Sequence, residues 1–413
     1  MHRIQKIKAR EIFNSRGWPT IEVEVTTSCG KVGCAIAPSG ASKGVLEACE
    51  LLDDDKERLS GRGVLRAIEN VHKIIAPALI GKSVAAQTEI DSLLIQLDGT
   101  RNKSVLGANT ITAVSLAVAK ANASVRSVPL CTVFHNLLTS ETEDFVYVPP
   151  VPMLNVINGG LHADNMLAIQ EFMICPVGCH SFRESMEKAA EVFHRLKVLL
   201  KQYGKSTNVG DEGGFAPDLS STEETLGLLS EAIGDDGECI KIALDAASST
   251  FYKDGKYSID GKLLNVNEMI DFYTAIIERY NIISIEDPLQ ESDWDSWQLI
   301  TKKLSDKIYI VGDDIFVTNP KMIERGIRTG VANAVLVKIN QVGTVTETIE
   351  GIKLARKAGY KVVISHRSGE TEDVSIAHLA VACGGAFLKA GSLSRSERVA
   401  KYNEVLRLEE VFL

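Results

Sequence analysis

No stretch of the 413-residue chain approaches the ~18 uninterrupted apolar residues of a membrane-spanning helix. Runs of basic residues interleaved with aromatics are also absent. Lys plus Arg number 45 against 54 Asp plus Glu, a net charge of -9, so no direct nucleic-acid partner is expected. Proline is scarce, at 11 residues, and nothing is low-complexity, which excludes collagen-like and disordered classes. The eight cysteines lie scattered with no C-x-x-C pair, so neither a disulfide scaffold nor a zinc site is spelled out and reduced thiols are expected. The first residues, Met1-His2-Arg3-Ile4-Gln5-Lys6, lack the apolar stretch of a signal peptide, and a cytoplasmic location is expected. The P-loop spacing and the dinucleotide fingerprint are missing as well, which leaves nucleotide binding without support.

What is present is more chain than one ordinary core can use, since single cores stop growing at roughly 250–300 residues. Ile21, Val23 and Val25 alternate with Glu22 and Glu24, the period-two signature of a half-buried strand. Turn residues flank it at Asn14 to Pro19 and Ser28 to Gly30, and Val32 to Ala37 reads as the next strand of a meander. Helical patterns follow at Val45 to Arg58, Val64 to Ile75 and Thr110 to Ala123, so residues 1–139 read as an antiparallel sheet backed by helices. Residues 140–413 begin with a polar linker and then alternate short apolar runs with helical segments, which predicts successive βα units on a parallel sheet.

Six of these runs end on an ionisable residue: Asp245, Glu286, Asp313, Lys338, His366 and Lys389. After a longer first interval they recur about every 25 residues, near the length of one strand plus its crossover helix. Strand ends in such register converge on the carboxyl-terminal mouth of a (β/α) barrel, where barrel enzymes keep their chemistry. Asp245, Glu286 and Asp313 form an all-oxygen set suited to Mg²⁺ rather than zinc. The competing reading is a plain ion network with Lys338, Arg367 and Lys389. Lys338 and Lys389 are candidate bases, because a neighbouring metal and a second ammonium disfavour the charged form and lower the pKa. Glu212, set among glycines in Val209 to Phe215, is a candidate general acid. His162 follows a second glycine-led loop, and His366-Arg367-Ser368 offers donors for a phosphate. A metal, a base, an acid and anion donors together suit proton abstraction beside a carboxylate.

The strings SGAS, VPMLNVINGGLHADN, IQEFMI, VGDEGGFAP, SIEDP, VGDD, KINQVGT, SHRSGETED and SRSERVAKYNE, taken in order, resemble the enolase family over nearly the whole chain. The resemblance implies an α/β fold, an enolase-type (β/α)8 barrel with an N-terminal α+β capping domain and one antiparallel barrel strand. It implies reversible dehydration of 2-phospho-D-glycerate to phosphoenolpyruvate, with two Mg²⁺ per site. Lys338 would then be the base and Glu212 the acid, with Gln170 and Glu171 on the acid side. Asp245, Glu286 and Asp313 would hold one Mg²⁺, and Ser42 would help hold the second. His162, His366, Arg367, Ser368 and Lys389 would contact the substrate. A homodimer or homo-octamer is implied too, together with a secondary cell-surface or secreted pool. Asn14, Trp18, Lys43, Thr250 and residues 386–388 depart from the family's usual residues. A rival reading, a binding protein on the same scaffold, is disfavoured because the chemical residues are all retained.

Overall fold

The computed structural model describes residues 2–40, 44–139 and 144–413, so Ser42 and Lys43 lie outside the described residues. Strands β1 (Ile4–Phe13), β2 (Pro19–Thr27) and β3 (Val32–Ile36) form the expected antiparallel meander. Ile21, Val23 and Val25 are buried, whereas Glu22 and Glu24 on the opposite face are only partly so. Asn14 Oδ1 accepts from the backbone N–H of Arg16 at 2.9 Å and of Trp18 at 3.2 Å, closing the turn between β1 and β2. Helix Ala108–Arg126 covers the sheet. The two approach so closely at Gly33 that a Cβ there would lie 2.2 Å from the Ala117 carbonyl oxygen.

One expected helix is absent. Val45 to Arg58 contains no α-helix, because its backbone bonds outward instead of to its own preceding turn. Ala48 N donates to Gln341 O at 2.9 Å, Cys49 N to Asn102 O at 2.7 Å and Asp53 N to Gly63 O at 2.8 Å. Tertiary partners replace the local carbonyls, and the segment extends from the small domain to the barrel.

The barrel closes in the order β10-β11-β12-β13-β14-β4-β5-β6. Its strands are β4 (Val151–Asn158), β5 (Glu171–Pro176), β6 (Ile240–Asp245), β10 (Ile282–Glu286), β11 (Tyr309–Gly312), β12 (Ala334–Val337), β13 (Lys361–Ser365) and β14 (Phe387–Lys389). A small separate sheet, β7 (Tyr252–Lys253), β8 (Lys256–Ile259) and β9 (Lys262–Leu264), interrupts the sequence after β6. The wholly parallel reading is corrected at β5, which runs antiparallel to β4 and β6. No crossover α-helix separates β4 from β5, so the chain returns directly. Two helices, Phe182–Gln202 and Thr222–Ile233, then carry it up and down again before β6.

Side-chain alternation explains why ionisable residues point into the mouth. Met173, Ala243, Val311, Leu336, Val363 and Phe387 form the apolar filling inside the barrel. Two residues towards the mouth on the same face stand Glu171, Asp245, Asp313, Lys338, Ser365 and Lys389. The filling is the floor beneath a polar rim.

Asp373 fastens the small domain to the barrel. Its Oδ2 accepts from Lys120 Nζ at 2.7 Å and Ile36 N at 3.1 Å, and its Oδ1 accepts from Ser375 N at 2.8 Å. Burial pushes the carboxyl pKa up, yet Lys120 and Ser375 bring it from 3.8 down to about 2. A depressed pKa contributes stability above the unfolded value that is lost as pH falls through the folded value. Asp373→Asn is therefore expected to cost about 2 kcal/mol in denaturant unfolding at neutral pH, a deficit that shrinks between about pH 4 and pH 2.

Candidate active site

The mouth has a basic half and an acidic half. Lys338 follows β12 and Glu171 opens β5, four strands apart in a ring of eight, so they face each other across the opening. On the basic side Lys338 Nζ pairs with Asp313 Oδ2. The other Asp313 oxygen accepts from Gln341 Nε2 at 2.8 Å, and Thr318 Oγ1 donates to Gln341 Oε1 at 2.8 Å while accepting from Lys338 N at 2.8 Å. Burial alone would lower the Lys338 pKa, but the charge of Asp313 raises it overall. The depressed lysine expected from the sequence is thus not what the side chains set up by themselves.

Lys389 Nζ sits between the halves, 2.8 Å from both Asp245 Oδ2 and Glu286 Oε2 and 3.3 Å from Glu171 Oε1. Burial opposes its charge, but these carboxylates hold its pKa well above the usual lysine range. Gln170 Nε2 also reaches Asp245 Oδ2, at 3.4 Å.

On the acidic side the loop carrying Glu212 is shaped by glycine. Gly213 has φ +85°, and a Cβ there would come within 2.4 Å of Ser394 O. Glu212 Oε2 lies 3.3 Å from His366 Nε2 and accepts from Asn155 Nδ2 at 3.2 Å. His162 Nδ1 stands 3.6 Å from both Glu171 and Glu212. Arg398 Nη1 lies 2.6 Å from His366 Nδ1. An arginine can only donate, so Nδ1 accepts and the imidazole carries its proton on Nε2, directed at Glu212. Burial holds the His366 pKa down at about 4 and lowers that of His162. Burial pushes Glu212 upward, but His162, His366 and Arg398 keep it well below the carboxylate range. Glu171 is raised well above that range by burial and by the charge of Glu212.

The anion donors gather beside β13. Ser39 N donates to Gly369 O at 2.9 Å and Gly369 N to Ser39 O at 2.8 Å, which joins the end of the segment following β3 to the residues just after Arg367 and Ser368. The Arg367 guanidinium is held by Glu47 and by Asn340 Oδ1.

The donor chemistry fits a hard divalent cation. Glu171, Glu212, Asp245, Glu286, Asp287 and Asp313 are all buried, against the two ammonium groups of Lys338 and Lys389. Burial and Asp245 raise Glu286 well above its ordinary range, and Gln170 Oε1 and Glu171 Oε2 are buried without a partner. Among the described residues, ligand atoms come within 4.8 Å of one another in two sets, Asp287-Asp313-Asp314 and His162-Glu171-Glu212. Asp245, Glu286 and Asp313 end neighbouring strands, but ammonium groups bridge them here.

The structure thus brings together every sequence-derived site residue except Ser42, which lies outside the described residues. Sequence reasoning missed Glu47, Asn155, Asp287, Gln341 and Arg398. All but Glu47 lie inside the motif strings quoted above, so their presence was visible while their roles were not. Asp287 accepts from the backbone N–H of Asp313 at 2.9 Å and of Asp314 at 3.0 Å, fixing the strand end that carries the carboxylate.

Two family models and a curated relative match the chain. Residues 146–412 match the family model of the enolase C-terminal TIM barrel domain, and residues 4–134 match that of the enolase N-terminal domain. The chain is 89% identical over 413 residues to the enolase of Neorickettsia sennetsu (strain ATCC VR-367 / Miyayama), covering 100% of both chains.

Proposed function

The chain belongs to the enolase family and catalyses the reversible, magnesium-dependent dehydration of 2-phospho-D-glycerate to phosphoenolpyruvate in glycolysis, and within that activity we propose that Lys338 is the base and Glu212 the acid. The observation that carries this assignment is the placement of Lys338 and the Glu171-Glu212 pair on opposite sides of one mouth. Elimination of water needs a proton removed from one carbon and a hydroxyl protonated on the next, and two facing groups can do both without moving.

Lys338 takes the proton beside the substrate carboxylate. Glu212, in its protonated form, gives its proton to the departing hydroxyl, with Glu171 and His162 beside it. His366, fixed by Arg398, donates to Glu212, while Arg367 and Ser368 hold the phosphate. Lys389 supplies a fixed positive charge beside the carboxylate. Asp245, Glu286 and Asp313 would hold Mg²⁺, and a second ion would involve Ser42. Bound Mg²⁺ would stabilise the second negative charge that develops on the substrate carboxylate. Residues 1–139 form a capping domain and residues 140–413 the catalytic barrel in this reading. The protein works as a homodimer or homo-octamer in the cytoplasm; no helix among the described residues is long and apolar enough to cross a membrane.

The test follows phosphoenolpyruvate absorbance with Mg²⁺ and with a chelator. Wild-type turnover should vanish on chelation, and Glu212→Gln should lower kcat by roughly 10²–10³-fold, within the usual range for a general acid. Unchanged kcat in Glu212→Gln would remove the residue from the acid role.

A further inference from the structure

The site contains a carboxylate that the chemistry above does not use. Glu47 comes from the segment that failed to form a helix, and its side chain is 7% exposed against Arg367 at 4%. Arg367 Nη1 donates to Glu47 Oε2 at 3.0 Å, and Nη2 lies 3.2 Å from Oε1 and 3.1 Å from Oε2. The same Oε1 accepts from Gln341 Nε2 at 3.2 Å and from the backbone N–H of Gly44 at 3.2 Å. Gln341 Nε2 also donates to Asp313 Oδ1 at 2.8 Å, and the other Asp313 oxygen holds Lys338.

We propose that Glu47 is a positioning residue that sets the Arg367 fork for the substrate phosphate and ties it, through Gln341, to the carboxylate that holds the base. Electrostatics alone argues against such a residue, because an anion beside Arg367 weakens its pull on a phosphate. Geometry argues for it. A guanidinium on a long flexible stem must be immobilised to give a directed bidentate contact, and a buried carboxylate on the same fork does that before substrate arrives. Glu47 Oε1 also accepts from the backbone N–H of Gly44, so Gly44, the phosphate arginine and Gln341, which itself donates to Asp313, meet at one carboxylate oxygen. The inference rests on reading Arg367 as a phosphate contact.

The test measures kcat, KM and competitive inhibition by inorganic phosphate for wild type, Glu47→Gln, Glu47→Asp, Arg367→Ala and the Glu47→Gln/Arg367→Ala double variant, all with Mg²⁺. Glu47→Gln should raise KM and the phosphate inhibition constant together by about tenfold, with kcat changed less than about threefold, the pattern of lost binding rather than lost chemistry. Glu47→Asp, which keeps the charge but shortens the reach, should fall between. The double variant should match Arg367→Ala, since residues acting through one another are not additive. A KM that falls in Glu47→Gln would show a competitor for the arginine and overturn positioning, as would fully additive effects. Unchanged KM and phosphate inhibition in Arg367→Ala would instead overturn the phosphate role of Arg367, and the proposal with it. If Glu47→Gln does not fold, Glu47→Asp carries the same comparison.

Discussion

Lys338→Ala should lower kcat for phosphoenolpyruvate formation by about 10²–10⁴-fold, the range set by losing a positioned base, while KM moves far less. The same variant should lose exchange of the substrate's acidic hydrogen with solvent deuterium, a readout that separates proton abstraction from later steps. The structure gives the reason to expect a large effect: Lys338 stands at the mouth across from Glu171 and Glu212. Burial favours a neutral lysine, and the charge of Asp313, with a smaller contribution from Glu286, reverses that preference. Whatever draws the Asp313 charge elsewhere frees Lys338 to act as a base, and a bound divalent cation has that property. A Lys338→Ala protein retaining more than a tenth of wild-type kcat would remove the residue from this role.

The parts of this site that were legible in the sequence are those governed by local periodicity. Asp245, Asp313, Lys338 and Lys389 each stand two residues beyond an apolar residue of the barrel filling, and a period of two is readable without knowing the fold. The reversal of β5 was not legible from its composition, because Glu171–Pro176 is buried throughout and shows no alternation that depends on direction. Val45 to Arg58 misled for a related reason. Its spacing of Leu51 and Leu52 among polar residues suits a helix, while the partners that pull it straight, Asn102, Asn109 and Gln341, lie far along the chain. The Glu47 contact with Arg367 spans 320 positions and has no local signature at all. Short-range patterns therefore locate the reacting groups, and only the fold shows what orients them.

The second large effect belongs to Lys389. Its replacement by methionine keeps the length of the side chain and removes the charge that Asp245, Glu286 and Glu171 share. Three buried carboxylates are then left facing one another, and breaking one partner of a buried ion cluster typically costs about 3–5 kcal/mol. Denaturant unfolding of Lys389→Met in the presence of a chelator should show a loss of that order. Its pH dependence has a definite sign. Glu171 and Glu286 already have pKa values raised well above normal, by burial first and by neighbouring carboxylates next, and losing Lys389 raises them further. A group with a raised folded-state pKa contributes stability at low pH that is lost as pH rises through that value, so the deficit should grow towards alkaline pH and shrink in acid. Added Mg²⁺ should recover more stability in Lys389→Met than in wild type, because the variant's carboxylates have no other cation and ligand binding to the folded state adds directly to its stability. Turnover should nevertheless stay low, by roughly 10²-fold or more, since a mobile ion does not replace a charge preset beside the substrate carboxylate. Equal stability of the two proteins in chelator at pH 8 would show that Lys389 does not hold this cluster together.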